Sequence, residues 1–256
     1  MPVDIEKVHL LGTQLSLCDQ SELLNAIGQV IAAKKRMIVL SGNVHSFNLA
    51  YRYKWLRAFF NQAELVRLDG VGIRLGAWML GYRTPTRMTW ADFAWDLVKY
   101  AAPRGYTFFF LGARPGIAEK AAENLRACFP DLRIVGTHHG YFDKMPGSVE
   151  NETVIEKINA VKPNILIVGF GMPLQERWLM ENWNRIDANV ALTGGAVFDY
   201  VSGELQRAPR WMTDHSLEWL GRLLIEPRRL WKRYLIGNPL FLWRVLKQRF
   251  GLLSFE

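Results

Sequence analysis

Five short segments pair glycine with side chains able to hold or move charge. They are Ser41-Gly-Asn43, Asp69-Gly70, Gly112-Ala-Arg-Pro-Gly116, Gly169-Phe-Gly171 running on to Gln175 and Glu176, and Thr193-Gly-Gly195 running on to Asp199. Glycine lets backbone approach a ligand closely, and amides at the start of a helix attract anions. Any one segment also serves as a plain turn, but five of them point to a nucleotide-bearing ligand. Two familiar phosphate motifs are missing. There is no Gly-x-x-x-x-Gly-Lys-Thr, and Gly169-Phe-Gly171 continues with Met172, Pro173 and Leu174, so a dinucleotide fingerprint lacks its third glycine. The ribose-binding acid that should follow is also absent, which disfavours a nicotinamide-dependent oxidoreductase. Two cysteines, Cys18 and Cys128, build no disulfide framework and have no metal-ligand spacing. A reducing, cytoplasmic setting fits them. His138-His139, in a glycine-flanked loop, is set aside as a solvent-facing pair.

The elements that must position these segments alternate along the chain. Short runs rich in apolar and β-branched residues, at 37–41, 64–68, 106–111, 132–135, 164–168 and 189–193, read as strands. Between them the apolar spacing predicts helices over 19–33, 45–60, 73–80, 89–101 (with Thr89 as its cap), about 117–128, 149–161 and 173–184. Residues 8–17 read as a small hairpin. This alternation defines an α/β body, a largely parallel sheet with helices on both faces. In such sheets ligands bind at the carboxyl ends of the strands, where all five segments fall.

The chain has 256 residues, half of them hydrophobic, which is ample for a packed core and excludes global disorder. The N-terminal residues lack the apolar stretch of a signal peptide, and nowhere do 18 apolar residues run together, so a membrane-spanning helix is not expected. Charge is unevenly placed. Between Arg207 and Arg249 stand ten Lys and Arg against three Asp and Glu, which gives this stretch +7 of the net +8. Interleaved with it are Trp211, Trp219, Trp231 and Trp243. Basic residues mixed with Trp and Leu on amphipathic helices mark a segment that lies in a bilayer interface. The alternative is an amphipathic helix docked on the body with its charges solvated. A nucleic-acid arm fits poorly, because the segment is too apolar to track phosphates alone. The expected division is a body over residues 1–206 and a helical appendage over 207–256.

The segments are distinctive as strings. The run from Phe110 to Gly116, the run Leu166-Ile-Val-Gly-Phe-Gly-Met-Pro-Leu-Gln-Glu-Arg-Trp178, and Gly194-Gly-Ala-Val-Phe-Asp-Tyr-Val-Ser-Gly203 resemble the WecG/TagA/CpsF family of bacterial glycosyltransferases. So do Arg207-Ala-Pro-Arg-Trp211, Glu218-Trp-Leu-Gly-Arg-Leu223 and Glu226-Pro-Arg-Arg229. The resemblance covers about residues 8–235. It implies a Rossmann-like body and a C-terminal appendage that docks on the membrane and helps close the site. It implies inverting transfer from a UDP-sugar onto a polyprenyl diphosphate-linked saccharide, in cell-surface polysaccharide synthesis at the inner membrane face. The sugar is left open among N-acetylmannosamine, its uronate, glucuronate and galactose. Oligomeric state is not fixed, and a homo-oligomer stays open. A catalytically silent nucleotide-sugar-binding scaffold is the alternative function.

Roles carry over residue by residue. Asp69 matches the family's Asp-Gly motif and is the expected general base, with a turn aspartate as its alternative. Ser41-Gly-Asn43 matches a motif that more often reads Thr-x-Asn. Arg87 matches an arginine near the site that can hold phosphate or acceptor. Gly112, Gly169, Gly171 and Gly195 belong to the binding loops, and Gln175 matches a polar residue facing the substrate. Glu176 is either a second such residue or a first-turn carboxylate favouring the helix dipole, and Asp199 fits donor binding or a structural cap. No two aspartates stand two apart, so the divalent-metal Asp-x-Asp pair of many sugar transferases is missing and no metal or cofactor is expected. Arg222, Arg228, Arg229 and Arg233 are then the candidates for neutralising the diphosphate, since guanidinium forks suit phosphate oxygens.

Overall fold

A computed structural model describes residues 5–85, 88–215 and 217–255. The chain opens with a hairpin, β1 (Lys7–Leu10) and β2 (Thr13–Ser16), then α1 (Gln20–Ala32), β3 (Met37–Gly42), α2 (Val44–Arg52) and α3 (Lys54–Gln62). There follow β4 (Leu65–Leu68), α4 (Val71–Met79), α5 (Trp90–Ala101), β5 (Thr107–Gly112), α6 (Ile117–Cys128), β6 (Arg133–His138) and α7 (Val149–Val161). The body ends with β7 (Ile165–Gly169), α8 (Leu174–Asn182), β8 (Val190–Thr193) and α9 (Val197–Val201). The C-terminal stretch holds α10 (Arg210–Asp214), α11 (Glu218–Ile225), α12 (Pro227–Trp231), a π-helical turn at Lys232–Ile236 and α13 (Gly237–Arg249).

Strands β3 to β8 form one sheet in the order β4-β3-β8-β7-β5-β6, with every pairing parallel. Successive strand residues feed opposite cores, as a two-residue period requires. Phe108 and Phe110 join the cluster under α1, α5, α6 and α9, whereas Phe109 and Leu111 join the one under α2, α3, α4, α7 and α8. The hairpin β1–β2 is separate from the sheet and closes the second cluster with Leu10, Leu11 and Leu15. The topology therefore matches the expected α/β layering. It also sets the site. Helices α2 and α9 leave the adjacent strands β3 and β8 toward opposite faces, and a crevice opens at the carboxyl ends between them.

Three local expectations need correction. The single helix over 45–60 is two, because Tyr53 is extended (φ −110°, ψ 108°) and its N–H caps α2 through the Leu49 carbonyl. The break turns Leu56, Phe59 and Phe60 of α3 into the core, and apolar spacing alone cannot register a turn that preserves it. Thr89 sits at the N-cap of α5, but its hydroxyl donates to the Asp92 carboxylate (3.1 Å) rather than receiving a backbone N–H. The helix expected to reach residue 184 ends at Asn182 and tightens into a 3-10 turn, Trp183–Arg185.

The C-terminal helix is docked on the body. Phe241 and Val245 of α13 are fully buried in the second core cluster. Gly76 of α4 makes room for the ring, since a Cβ there would come within 2.7 Å of Phe241. On other sides of the same segment, Trp211, Trp231, Trp243, Leu224, Leu235 and Ile236 stay exposed.

Candidate active site

The strand ends enclose a cavity of about 1630 Å³, roofed by the C-terminal segment. Asp69 stands on its floor. Its N–H continues the β3–β4 ladder to the Gly42 carbonyl (2.9 Å), and Gly70, with φ +93°, turns the chain sharply into α4. The Asp69 side chain keeps one-fifth of its surface open, and its Oδ2 lies 3.9 Å from Nη2 of the fully buried Arg67.

At the end of β3, Ser41 and Asn43 both reach the cavity while also bonding within the protein. The Ser41 hydroxyl donates to the Thr193 carbonyl (2.8 Å) and accepts from the Trp90 indole (3.1 Å), which stitches β3 to β8 and α5. Asn43 forms a reciprocal capping box with Ser46 that starts α2. These contacts fix the shape of the floor.

The glycine segments crowd together where β5, β7 and β8 end. A Cβ at Gly112 would lie 2.4 Å from the Gly169 carbonyl oxygen, and one at Gly169 would lie 2.9 Å from the Gly195 oxygen. Gln175 is completely buried and clasps two of these loops: its Oε1 accepts the N–H of Gly171 (3.3 Å) and of Gly195 (3.0 Å). Its amide nitrogen donates to Glu176 Oε1 (2.8 Å), which fixes which way the amide faces. Gln175 thus borders the cavity as a brace. Glu176 sits behind it and, like Gly112, is not among the cavity-lining residues.

Burial pushes the Glu176 carboxyl up to about 7 from the ordinary value of 4.5, against the lowering effect of the Gln175 hydrogen bond. The folded state therefore holds a proton that the unfolded chain releases, and stability from this group is full below pH 4.5 and falls as pH rises toward 7. Glu176→Gln should remove that slope. In urea titrations across pH, the stability of the variant relative to the parent should grow by on the order of 3 kcal/mol between pH 4.5 and 7.5. A flat difference would show that this carboxyl is ionised when folded.

The roof brings in three of the four candidate arginines. Arg222, Arg229 and Arg233 line the cavity, whereas Arg228 is exposed and does not. Arg229 pairs with Glu226 (2.6 Å), and Arg222 lies 3.6 Å from the same carboxylate and 5.4 Å from the Tyr200 ring. Burial holds Arg233 below its usual range, and the neighbouring Arg222 and Arg229 charges add to that effect. Glu226 lies against two of these guanidiniums and Asp69 acts on Arg222 and Arg233 from the floor, and three guanidiniums gathered at one wall suit a polyanion. Asp199 also lines the cavity, its carboxyl raised by burial and held back by Arg114 and Arg229. Arg87 lies outside the described residues. His138 and His139 stack on each other (4.5 Å) away from the cavity wall.

Among the cavity residues that the sequence reading passed over are His45 and Tyr200. His45, in the first turn of α2, is pushed down to about 4 by burial and by the Arg233 charge, so it is neutral at pH 7. Tyr200 is pushed up to about 12 by burial, and its hydroxyl has no hydrogen-bond partner among the described residues. Each follows a residue that was noticed, Asn43 by two positions and Asp199 by one. Trp219 also turns inward, packing its ring 5.9 Å from Tyr234 at the cavity roof.

A parallel α/β sheet with a carboxylate and a guanidinium cluster facing one cavity at its carboxyl edge has the architecture of a Rossmann-like transferase. The chain belongs to the Glycosyl transferase WecG/TagA/CpsF family, whose sequence model matches residues 8–254. It is therefore a glycosyltransferase. It is similar to the N-acetylglucosaminyldiphosphoundecaprenol N-acetyl-beta-D-mannosaminyltransferases of Staphylococcus aureus strains NCTC 8325 / PS 47 and COL. Each is 26% identical over 245 residues, covering 95% of this chain and 93% of the relative.

Proposed function

We propose that this enzyme moves a sugar from a UDP donor, with inversion, onto a polyprenyl diphosphate-linked saccharide at the inner face of the membrane. The observation that carries this reading is Asp69 on the cavity floor with Arg222, Arg229 and Arg233 in the roof of the same cavity. In the reaction, Asp69 takes the proton of the acceptor hydroxyl as its oxygen attacks the anomeric carbon. The bond from that carbon to the β-phosphate oxygen breaks and its electron pair leaves with UDP. The three arginines stabilise that charge where it develops. The names of the staphylococcal relatives describe an acceptor with this diphospholipid chemistry, and N-acetylmannosamine is the first donor sugar to assay.

Residues 207–256 act in this reading as an appendage that closes the cavity and docks on anionic lipid. No helix among the described residues is long and apolar enough to cross a membrane. The exposed Trp and Leu of the segment fit interfacial docking instead.

The test is transfer from a panel of UDP-sugars to a short-chain polyprenyl diphosphate acceptor, with the anomeric configuration of donor and product read by NMR. An inverted linkage from one UDP-sugar is the expected result. Retention, or release of UDP without an acceptor-linked product, would overturn it. Because arginines rather than a metal hold the diphosphate in this scheme, EDTA should leave the rate within about twofold. Loss on chelation, restored by magnesium or manganese, would show that a cation does that work.

A further inference from the structure

Arg67 is fully buried, yet it is poorly satisfied. One guanidinium nitrogen donates to the Met88 carbonyl (2.8 Å), while Nε and Nη2 have no hydrogen-bond partner among the described residues. Its plane lies among aromatic rings, 4.7 Å from Trp90 and 5.3 Å from Phe93. Aromatic faces favour a cation but leave its N–H groups unmade, and a buried charge without a counter-charge is strongly unfavourable. Two acidic groups face it. Cys18 stays a neutral thiol, pushed up to about 12 by burial. Asp69, just past the end of β4 and 3.9 Å away, is the remaining one.

We propose that Arg67 is a positioning residue for catalysis: it draws one carboxylate oxygen of Asp69 back into the body and so aims the other at the cavity. The pairing engages Oδ2 and leaves Oδ1 to accept the proton of the acceptor hydroxyl. This inference rests on Asp69 being the base. The sandwich explains why an arginine is used. Trp90, which holds the guanidinium plane, also donates to Ser41 and to the Thr193 carbonyl at the cavity floor, so cation and floor are fixed by one side chain. Other charges also act on Asp69, namely Arg222 and Arg233 from the roof, with the Tyr200 phenol from α9. Arg67 alone among these comes from beneath, on the strand that leads into Asp69.

The experiment is a double-mutant cycle. Arg67→Met removes the charge and keeps the apolar stem between the rings; Arg67→Gln removes the charge but keeps a donor for Met88 and serves if the first variant does not fold. Arg67→Lys restores a cation. The charge-removing variants should lose at least about tenfold in kcat with UDP affinity within threefold. Arg67→Lys should recover most of the lost turnover. On an Asp69→Asn background, removing Arg67 should cost less than about twofold more, because its effect passes through the missing carboxylate. A loss of equal size on both backgrounds, or kcat within twofold of the parent in the charge-removing variants, overturns the proposal and leaves Arg67 as a packing group. Full turnover in Asp69→Asn itself is a different result: it removes the base assignment, and this inference with it.

Discussion

Asp69→Asn should lower turnover by about 10² or more, the usual scale of general-base loss, while UDP still binds. Asparagine keeps the size and polarity of the side chain but cannot take up the acceptor proton. The floor around it should survive, since the Asp69 N–H, not its carboxylate, makes the bond to Gly42. UDP affinity should hold or tighten slightly. Asp69 counters the charges of Arg222 and Arg233 across the cavity, and neutralising it leaves the guanidinium cluster more positive toward a diphosphate. The check is initial-rate transfer to a lipid-linked acceptor alongside UDP titration by calorimetry. If more than a tenth of the parent rate remains, Asp69 has no part in proton transfer. If rate and UDP affinity fall together, the residue is holding the donor rather than the acceptor.

The parts of the fold legible in the sequence were those encoded by period and punctuation. The strand Ile165–Gly169 and the helix Val149–Val161 are marked by an unbroken apolar run and by amphipathic spacing, each bounded by turn residues. The kink at Tyr53 was invisible because it conserves the helical spacing on either side. For the site, the glycine segments announced where backbone converges, but not which side chains the protein keeps for itself. Ser41, Asn43 and Gln175 all border the cavity, yet their hydrogen bonds run to Thr193, Ser46 and the loop amides. Partners separated by up to 152 residues leave no local trace. The same holds for Arg67, which reads as an ordinary strand cation until its burial among aromatic rings is seen.

Trp231→Ser combined with Trp243→Ser should cut binding to anionic vesicles by up to about 10³-fold, counting roughly 2 kcal/mol for each inserted indole. Both residues are exposed, at 43% and 57%, in a segment where Leu235, Ile236 and Leu240 are exposed too. Trp78, on α4, is exposed as well. Arg228, Lys232 and Lys247 supply the salt-sensitive part, at about 1 kcal/mol per residue near an anionic leaflet. Deleting the tail is the wrong way to ask the question. It would strip Phe241 and Val245 from the core, and losing a buried Phe side chain alone costs about 3–5 kcal/mol. The two-Trp variant leaves that packing in place, because Trp243 is exposed while Phe241 and Val245 carry the docked face of α13. Flotation with vesicles at low and high salt reads the docking, and transfer to a water-soluble acceptor reads the chemistry. Docking should fall and the soluble reaction should hold within about twofold, since neither Trp231 nor Trp243 borders the cavity. Unchanged flotation would place the membrane face elsewhere. A parallel loss of the soluble reaction would mean that these tryptophans hold the roof closed over the arginines rather than seat it on lipid.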